Sequence, residues 1–454
     1  VSDRAAESAA WPRPAYAWTV VLILVATAIL SYTDRQVLSL LVDPLRADLH
    51  IGDTQISLLL GLAFALVYGV AGVPVGWLAD RTSRRNLIAA GVLVWSVGTL
   101  CCSASRNFGE IFASRLLVGL GEAALSPAAI ALISDYFPPQ RRGAAVGLFL
   151  SGIAIGVGAS IFIGGGVLEA VEVGLFAATP LAHLAPWRPV LLLLGVPGLL
   201  WSGVIFAIRE PQRRHDEVPV TGETAPEAAS ASGRWIRAAP VYVVLAVASL
   251  VDNAVGAWAP SLLIRQFSMD PAKVGIELGV LLTIGYGGGV LIGGALADVA
   301  GARGGAALKL VVALLCSLLI LPVAALVPLH DLTAVFVGVP VYFALSGAVT
   351  AVGFAVLLDV VPSRARGLAM SMSFFLNVAV GAGLGPTVVA VLAARAFAGG
   401  ALGPALSVTI AGGYLFAASA AFAAWRMTRA HEALARWSGR PDSRARRSPG
   451  DSRP

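Results

Sequence analysis

Charge is what this chain has least of. Asp, Glu, Lys and Arg make up 13% of its 454 residues against 57% hydrophobic, where a soluble domain carries about 25% charged residues. That scarcity excludes an ordinary soluble protein. Histidine is equally thin. His50, His183, His215, His330 and His431 lie in or beside loops, with no H-E-x-x-H pair and no spacing that suits a metal. A metal site, a cofactor and a membrane-embedded enzyme are therefore not expected. No phosphate-cradling loop ending in Lys-Ser or Lys-Thr occurs, which argues against an ATP-driven pump. The three cysteines support no disulfide framework. Cys101 and Cys102 are neighbours on one helix, about 100° apart, and Cys316 lies on another; all three read as small packing residues. Charges are scattered rather than repeated in rings, so a channel is disfavoured.

What the chain has is hydrophobic length. Stretches long enough to cross a bilayer, about 20 residues each, fall near 17–41, 54–79, 87–105, 110–134, 143–168 and 187–208. After a polar break they resume near 238–264, 274–298, 306–328, 332–360, 367–394 and 404–425. The expectation is an all-α membrane protein of about twelve helices in two six-helix halves. Its parts are an N-terminal segment 1–16, a bundle 17–208, a linker 209–237, a second bundle 238–427 and a basic tail 428–454. Residues 1–14 contain Asp3 and Glu7 and lead into the first span without a cleavage site, so helix 1 is expected to be retained.

The net charge of +6 reports topology. Loops on the side of both termini hold Arg81, Arg84, Arg85, Arg141, Arg142, Arg209, Arg303, Lys309, Arg364 and Arg366, and the tail adds more. The opposite face has Arg46, Arg106, Arg188, Arg265, Lys273 and Arg395. The positive-inside rule puts both termini in the cytoplasm, in the inner membrane of a bacterium. Basic residues placed in this way indicate no nucleic-acid partner.

The sequence also repeats itself. Residues 61–80 (GLAFALVYGVAGVPVGWLAD) match residues 279–298 (GVLLTIGYGGGVLIGGALAD) at an offset of 218, which carries Tyr68 onto Tyr286, Asp80 onto Asp298 and Asp34 onto Asp252. Later in each half, Asp135-Tyr-Phe-Pro-Pro-Gln-Arg-Arg142-Gly143 matches Asp359-Val-Val-Pro-Ser-Arg-Ala-Arg366-Gly367 at an offset of 224. Two copies in one orientation suit a carrier whose substrate binds between rocking halves.

Gly76-Trp-Leu-Ala-Asp80-Arg81-Thr-Ser-Arg84-Arg85 resembles the signature loop of the major facilitator superfamily, G-x-L-A-D-R-x-G-R-[KR], with Ser83 in place of Gly. A weaker copy surrounds Asp298. Carboxylates at these helix ends can meet the N-terminus and basic residues of a helix from the other half. Asp80 is expected to meet Arg364 or Arg366, and Asp298 to meet Arg141 or Arg142. Together with Gly76, Arg81 and Arg84 they form a candidate cytoplasmic gate.

Within the spans lie Asp34, Arg35, Arg115, Glu122 and Asp252. An unpaired charge there costs roughly 2.5–3.5 kcal/mol on insertion scales, so these residues must face one another or a wet cavity. Arg115 and Glu122 are two turns apart on one helix face. The second half reproduces Asp34 as Asp252 but has Val339 and Ser346 at the positions matching Arg115 and Glu122. Tyr32-Thr-Asp34-Arg35, Arg115-x-x-Val-Gly119-x-Gly121-Glu122 and Ser151-Gly152-(x)3-Gly156-x-Gly158 resemble the spinster-like branch of that superfamily. The resemblance implies that Asp34 and Glu122 are protonation sites and that Arg35 and Arg115 are their partners and possible anion contacts. It also implies lysolipid or sphingoid-phosphate substrates. Asp252, Tyr68, Tyr286 and Asn377 are further candidates for the cavity wall, with Trp258 and Tyr342 behind them. The function expected is a proton-coupled transporter of an amphiphilic anion, working as a monomer among membrane lipids. A symporter of small organic anions is the alternative.

Overall fold

The computed structural model describes residues 11–212, 225–329, 331–361 and 365–438. Among these there is no strand; the chain is a succession of long helices. We label the membrane-crossing helices α1 to α12. The first half comprises α1 (Pro14–Gln36), α2 (Ala63–Arg81), α3 (Arg84–Ala104), α4 (Phe108–Glu122, then Leu125–Tyr136), α5 (Pro139–Glu172) and α6 (Trp187–Phe206). Helix α2 continues backwards through a π turn, Leu58–Leu62, to Asp53–Ser57. The second half comprises α7 (Ala225–Phe267), α8 (271–303), α9 (306–324), α10 (Leu332–Val360), α11 (Arg366–Leu376, a π turn Asn377–Ala382, then Gly383–Ala396) and α12 (Leu402–Ser438).

Among the described residues, eleven helical stretches are long and apolar enough to cross a membrane. One of them, Pro271–Ala324, is two helices in one: the backbone leaves helical geometry at Gly304 and at Gly305, where φ is 60°. Only glycine adopts that left-handed conformation without strain, so the stretch splits into α8 and α9 and the crossings number twelve. Polar side chains cap the starts of α3, α4, α8 and α10. Ser83 accepts from the Asn86 N–H, Asn107 from Glu110, Asp270 from Lys273 and Asp331 from Thr333 and Ala334, which satisfies amides that lack a helical partner.

Two differences from the sequence reading concern the linker and the tail. Helix α7 begins at Ala225, so 225–237 is helical; its alanines favour helix even where the stretch is too polar to cross a bilayer. Residues 213–224 and 439–454 lie outside the described residues, whereas α12 extends as helix to Ser438.

Each half is braced by the same ion pair. Arg84 at the start of α3 pairs with Asp135 near the end of α4, and Lys309 in the first turn of α9 pairs with Asp359 near the end of α10 at 2.7 Å. The repeated Asp thus has an architectural role within its own bundle.

Candidate functional site

Proline sets up the first cluster. Pro127 has no N–H to offer the Ala123 carbonyl, and its ring crowds that turn. Helix α4 is accordingly broken at Ala123–Ala124, immediately after Glu122. Glu122 is thereby held at a helix end deep in the bundle, where its Oε2 accepts from Arg35 Nη2 of α1 at 2.6 Å, with the two side chains 1% and 15% exposed. The guanidinium lies 3.9 Å from the ring centre of Phe64, 4.9 Å from Tyr32 and 5.9 Å from Tyr68, an aromatic cage that compensates part of its lost hydration.

Arg115, on the same face of α4, is buried as well, but no carboxylate receives it. It donates at 3.4 Å to two backbone carbonyls, those of Leu59 and Asp34. Its Nη2 and both carboxylate oxygens of Asp34 are buried without a hydrogen-bond partner at normal geometry. The Thr99 hydroxyl beside Asp34 is spent on the Trp95 carbonyl at 3.1 Å. The structure therefore brings all four expected residues together but closes one ion pair of two.

The second half answers with a different construction. Asp252 on α7 accepts from the Tyr342 hydroxyl at 2.7 Å and from Ser346 at 2.6 Å, both on α10, and Tyr414 of α12 donates to the Ser346 oxygen at 2.7 Å. Tyr342, Ser346 and Tyr414 are buried, while Asp252 is half-buried. Asn377 is exposed where the α11 π turn begins, and its carbonyl accepts from Ser249. Tyr68 lies tilted against Phe64, ring centres 5.1 Å apart, and Tyr286 meets Phe343 edge-on. Trp258, a weaker candidate, is a core residue instead: it is fully buried and donates to the Pro386 carbonyl at 2.8 Å.

The two halves touch on the side opposite the termini. There α5 and α8 meet through glycines. A Cβ on Gly165 would sit 2.7 Å from both the Ala272 oxygen and the Ile276 nitrogen, and one on Gly279 would sit 2.8 Å from the Gly158 oxygen. Gly61 in the α2 π turn meets Ala382, Gly383 and Pro386 of α11 in the same way. Arg265 of α7 locks this side, reaching Asp43 and Asp53 of the first half at 2.8 Å each, with Arg46 at 3.3 Å from Asp53. Sequence reading noted Arg265 and Arg46 only as topological charges. A basic residue on the face otherwise poor in them, with Asp43 and Asp53 on the same face, was the available signal.

Toward the termini, glycines of both halves face open space. Side chains added at Gly76, Gly143, Gly147, Gly287, Gly294 or Gly367 would meet nothing within 4 Å. Among the described residues Asp298 forms no ion pair and is exposed, as is Arg141. Arg81 lies over Trp77 at 4.0 Å, and Arg366 bonds the Leu358 carbonyl of its own half. Arg84 is committed to Asp135 and Arg142 is half-buried. Glu210 accepts from Ser83 and from the amides of Arg84 and Arg85, tying the signature loop to the end of α6. Arg364 and the side chain of Asp80 lie outside the described residues.

A model of the Major Facilitator Superfamily matches residues 24–386. An MFS-type efflux pump of Mycolicibacterium smegmatis is 27% identical over 84% of this chain and 85% of its own length. Protein spinster of Drosophila melanogaster is 33% identical over 44% of this chain and 31% of its own length. A probable L-galactonate transporter of Escherichia coli is 26% identical over 62% and 61%. The chain thus spans less than two thirds of the length of these last two relatives. The crystal structure of a bacterial homologue of the human lysosomal transporter spinster, inward-facing and occupied, superposes with a TM-score of 0.77. It covers 92% of this chain and 98% of its own at 23% identity, a likeness of fold. The chain belongs to the Major Facilitator Superfamily and is a multi-pass membrane transporter, not an enzyme.

Proposed function

We propose that this transporter is coupled to protons and works by alternating access, carrying an amphiphilic anion across the inner membrane of a bacterium. The observation that carries the reading is the unfinished ion cluster in the first half. Two arginines face two carboxylates, one pair is closed, and Asp34 and Arg115 remain buried with unsatisfied atoms. A buried carboxylate without a partner is the group a proton neutralises, and a buried guanidinium without one is the group an anionic substrate satisfies. Glu122 exchanges Arg35 for a proton, and Asp34 and Arg115 respond through the adjoining helix positions.

With both termini in the cytoplasm, the open side faces inward. Closing it brings Asp298 to Arg141 or Arg142 at the start of α5, and Asp80 to Arg366 at the start of α11, while the Arg265 lock opens. The protein cycles as a monomer.

The substrate reading rests on asymmetry. Both arginines belong to the first half, whereas α8 and α11 offer Gly, Val, Leu and Phe. An anionic head near Arg35 or Arg115 with a chain along the second half fits that division. Measuring binding of single-chain anionic amphiphiles of increasing length tests it. Each added CH₂ should strengthen binding by up to about 0.8 kcal/mol until the apolar wall is filled. Affinity that ignores the chain and survives its removal would refute the lipid reading. It would favour a small organic anion, the class to which the substrate of the galactonate transporter relative belongs.

A further inference from the structure

We infer that Asp252, seated on the Tyr342–Ser346–Tyr414 hydroxyl chain, is a second proton-binding site, placed in the half opposite Asp34 and Glu122. The inference rests on the reading of the protein as a proton-coupled carrier and gives its second half a share in the coupling.

The chemistry of the pocket selects the proton over other cations. Asp252 accepts from Tyr342 and Ser346, and Ser346 accepts in turn from Tyr414. Each hydroxyl proton is aimed along the chain toward the carboxylate, so Tyr342 and Ser346 turn donors, not lone pairs, toward it. An alkali or divalent ion needs a shell of oxygen lone pairs, six to eight for calcium, and these hydroxyls cannot supply them while donating. A proton needs one carboxylate oxygen.

Among the described residues the surroundings hold no competing counter-charge. Helix α10 presents Tyr342 and Ser346, α12 presents Tyr414, and α8 presents Tyr286, which lies within electrostatic range of both Asp252 and Tyr32 of α1. On α7 itself the neighbours are Ser249 and Asn253, and α11 contributes the Asn377 carbonyl. Among the described residues no Arg, Lys or His pairs with Asp252, whereas Glu122 has Arg35. The first half can hold its carboxylate charge against arginine; the second half must hold its charge on hydroxyls alone or take up a proton. Asp252 is also half-buried while the hydroxyls of Tyr342, Ser346 and Tyr414 belong to buried residues, so the carboxylate is the accessible end of the chain. Tyr32 connects the two sites, since its ring lies 4.9 Å from the Arg35 guanidinium.

The test is infrared difference spectroscopy of the full chain in liposomes, titrated with pH alone, where exposed carboxylates cancel between variants. The Asp34→Asn/Glu122→Gln protein should keep one titrating carboxylic-acid band, and adding Asp252→Asn should remove it. Asp252→Glu should keep a band at a displaced frequency. Ser346→Ala, which removes one hydrogen bond but keeps the carboxylate, should move the midpoint without abolishing the band. If Asp252→Asn leaves the wild-type titration unchanged while Asp34→Asn/Glu122→Gln abolishes it, the inference fails and coupling through α1 and α4 stands. If Asp34→Asn/Glu122→Gln titrates like wild type and only Asp252→Asn is silent, Asp252 is the site and the first-half reading fails.

Discussion

Replacing Arg265 with Gln should shift the resting protein toward the state open on the side opposite the termini. Arg265 is the cross-half cation on the sealed side, with Asp43 and Asp53 both at 2.8 Å. The guanidinium side chain is 25% exposed and the carboxylates 32% and 23% exposed, so solvent screens the pairs in part. An exposed pair contributes about 0.2–1 kcal/mol. Two charge-assisted contacts at the upper end of that range give about 1.5 kcal/mol. The larger cost of about 3–5 kcal/mol for an orphaned buried charge does not apply, because Arg46 stays beside Asp53 at 3.3 Å and Asp43 at 3.8 Å. About 1.5 kcal/mol is roughly a tenfold change in the ratio of the two states. Spin labels at exposed Thr179 and Leu329 would read this ratio as a distance distribution, once Cys101, Cys102 and Cys316 are replaced. The shift should shrink as salt rises above the ionic strength at which the Debye length is about 10 Å. Asp43→Asn/Asp53→Asn should produce the same shift and add little on top of Arg265→Gln, since the three residues share one interaction. An unchanged distribution in Arg265→Gln, or full additivity, would refute the reasoning.

Glu122→Gln keeps the shape of the side chain but cannot carry charge. Its conformational distribution should move toward that of low-pH wild type, and a pH response in Asp34→Asn/Glu122→Gln as large as that of wild type would remove both residues from the coupling role. Gly165→Leu should prevent α5 and α8 from meeting, because the space for even a Cβ is taken by the backbone of Ala272 and Ile276; transport should be lost while thermal unfolding of the protein stays near wild type. A disulfide between Arg141→Cys and Asp298→Cys should form only under conditions that close the terminus side, and should arrest uptake into liposomes until it is reduced.

Hydropathy made most of the fold legible because lipid imposes a length on every crossing. The span expected at 332–360 is observed as Leu332–Val360, and the one at 187–208 as Trp187–Phe206. The break expected between 274–298 and 306–328 falls at Gly304 and Gly305. What hydropathy missed was decided by composition: the linker residues after 225 are helical without being apolar. The charged cluster of α1 and α4 was legible because charges in a bilayer must find each other, and Arg35 does meet Glu122. Pairing on the aqueous ends was not, since a charge there has many affordable partners. Thus Arg84, expected at the gate between halves, is found bracing α3 to α4, and Arg265, expected only to mark the outer face, holds the halves together. The Tyr342–Ser346–Tyr414 chain was hidden for another reason: hydroxyls on three separate positions of α10 and α12 declare no common purpose until the helices are packed.

The glycine contact between α5 and α8 has a consequence for leakage. Where backbones lie against each other, attraction comes from many weak dispersion contacts, and a radial gap of about 0.5–1 Å already forfeits a quarter to a half of each. Gly158 and Gly165 on one helix and Gly275 and Gly279 on the other form a single row, so separating one end strips the neighbouring contacts of most of their strength. Such a row comes apart like a zip, as a unit, and leaves little population with the barrier ajar. A carrier sealed in this way leaks little while idle, because the cheapest excursion from the sealed state is the complete one.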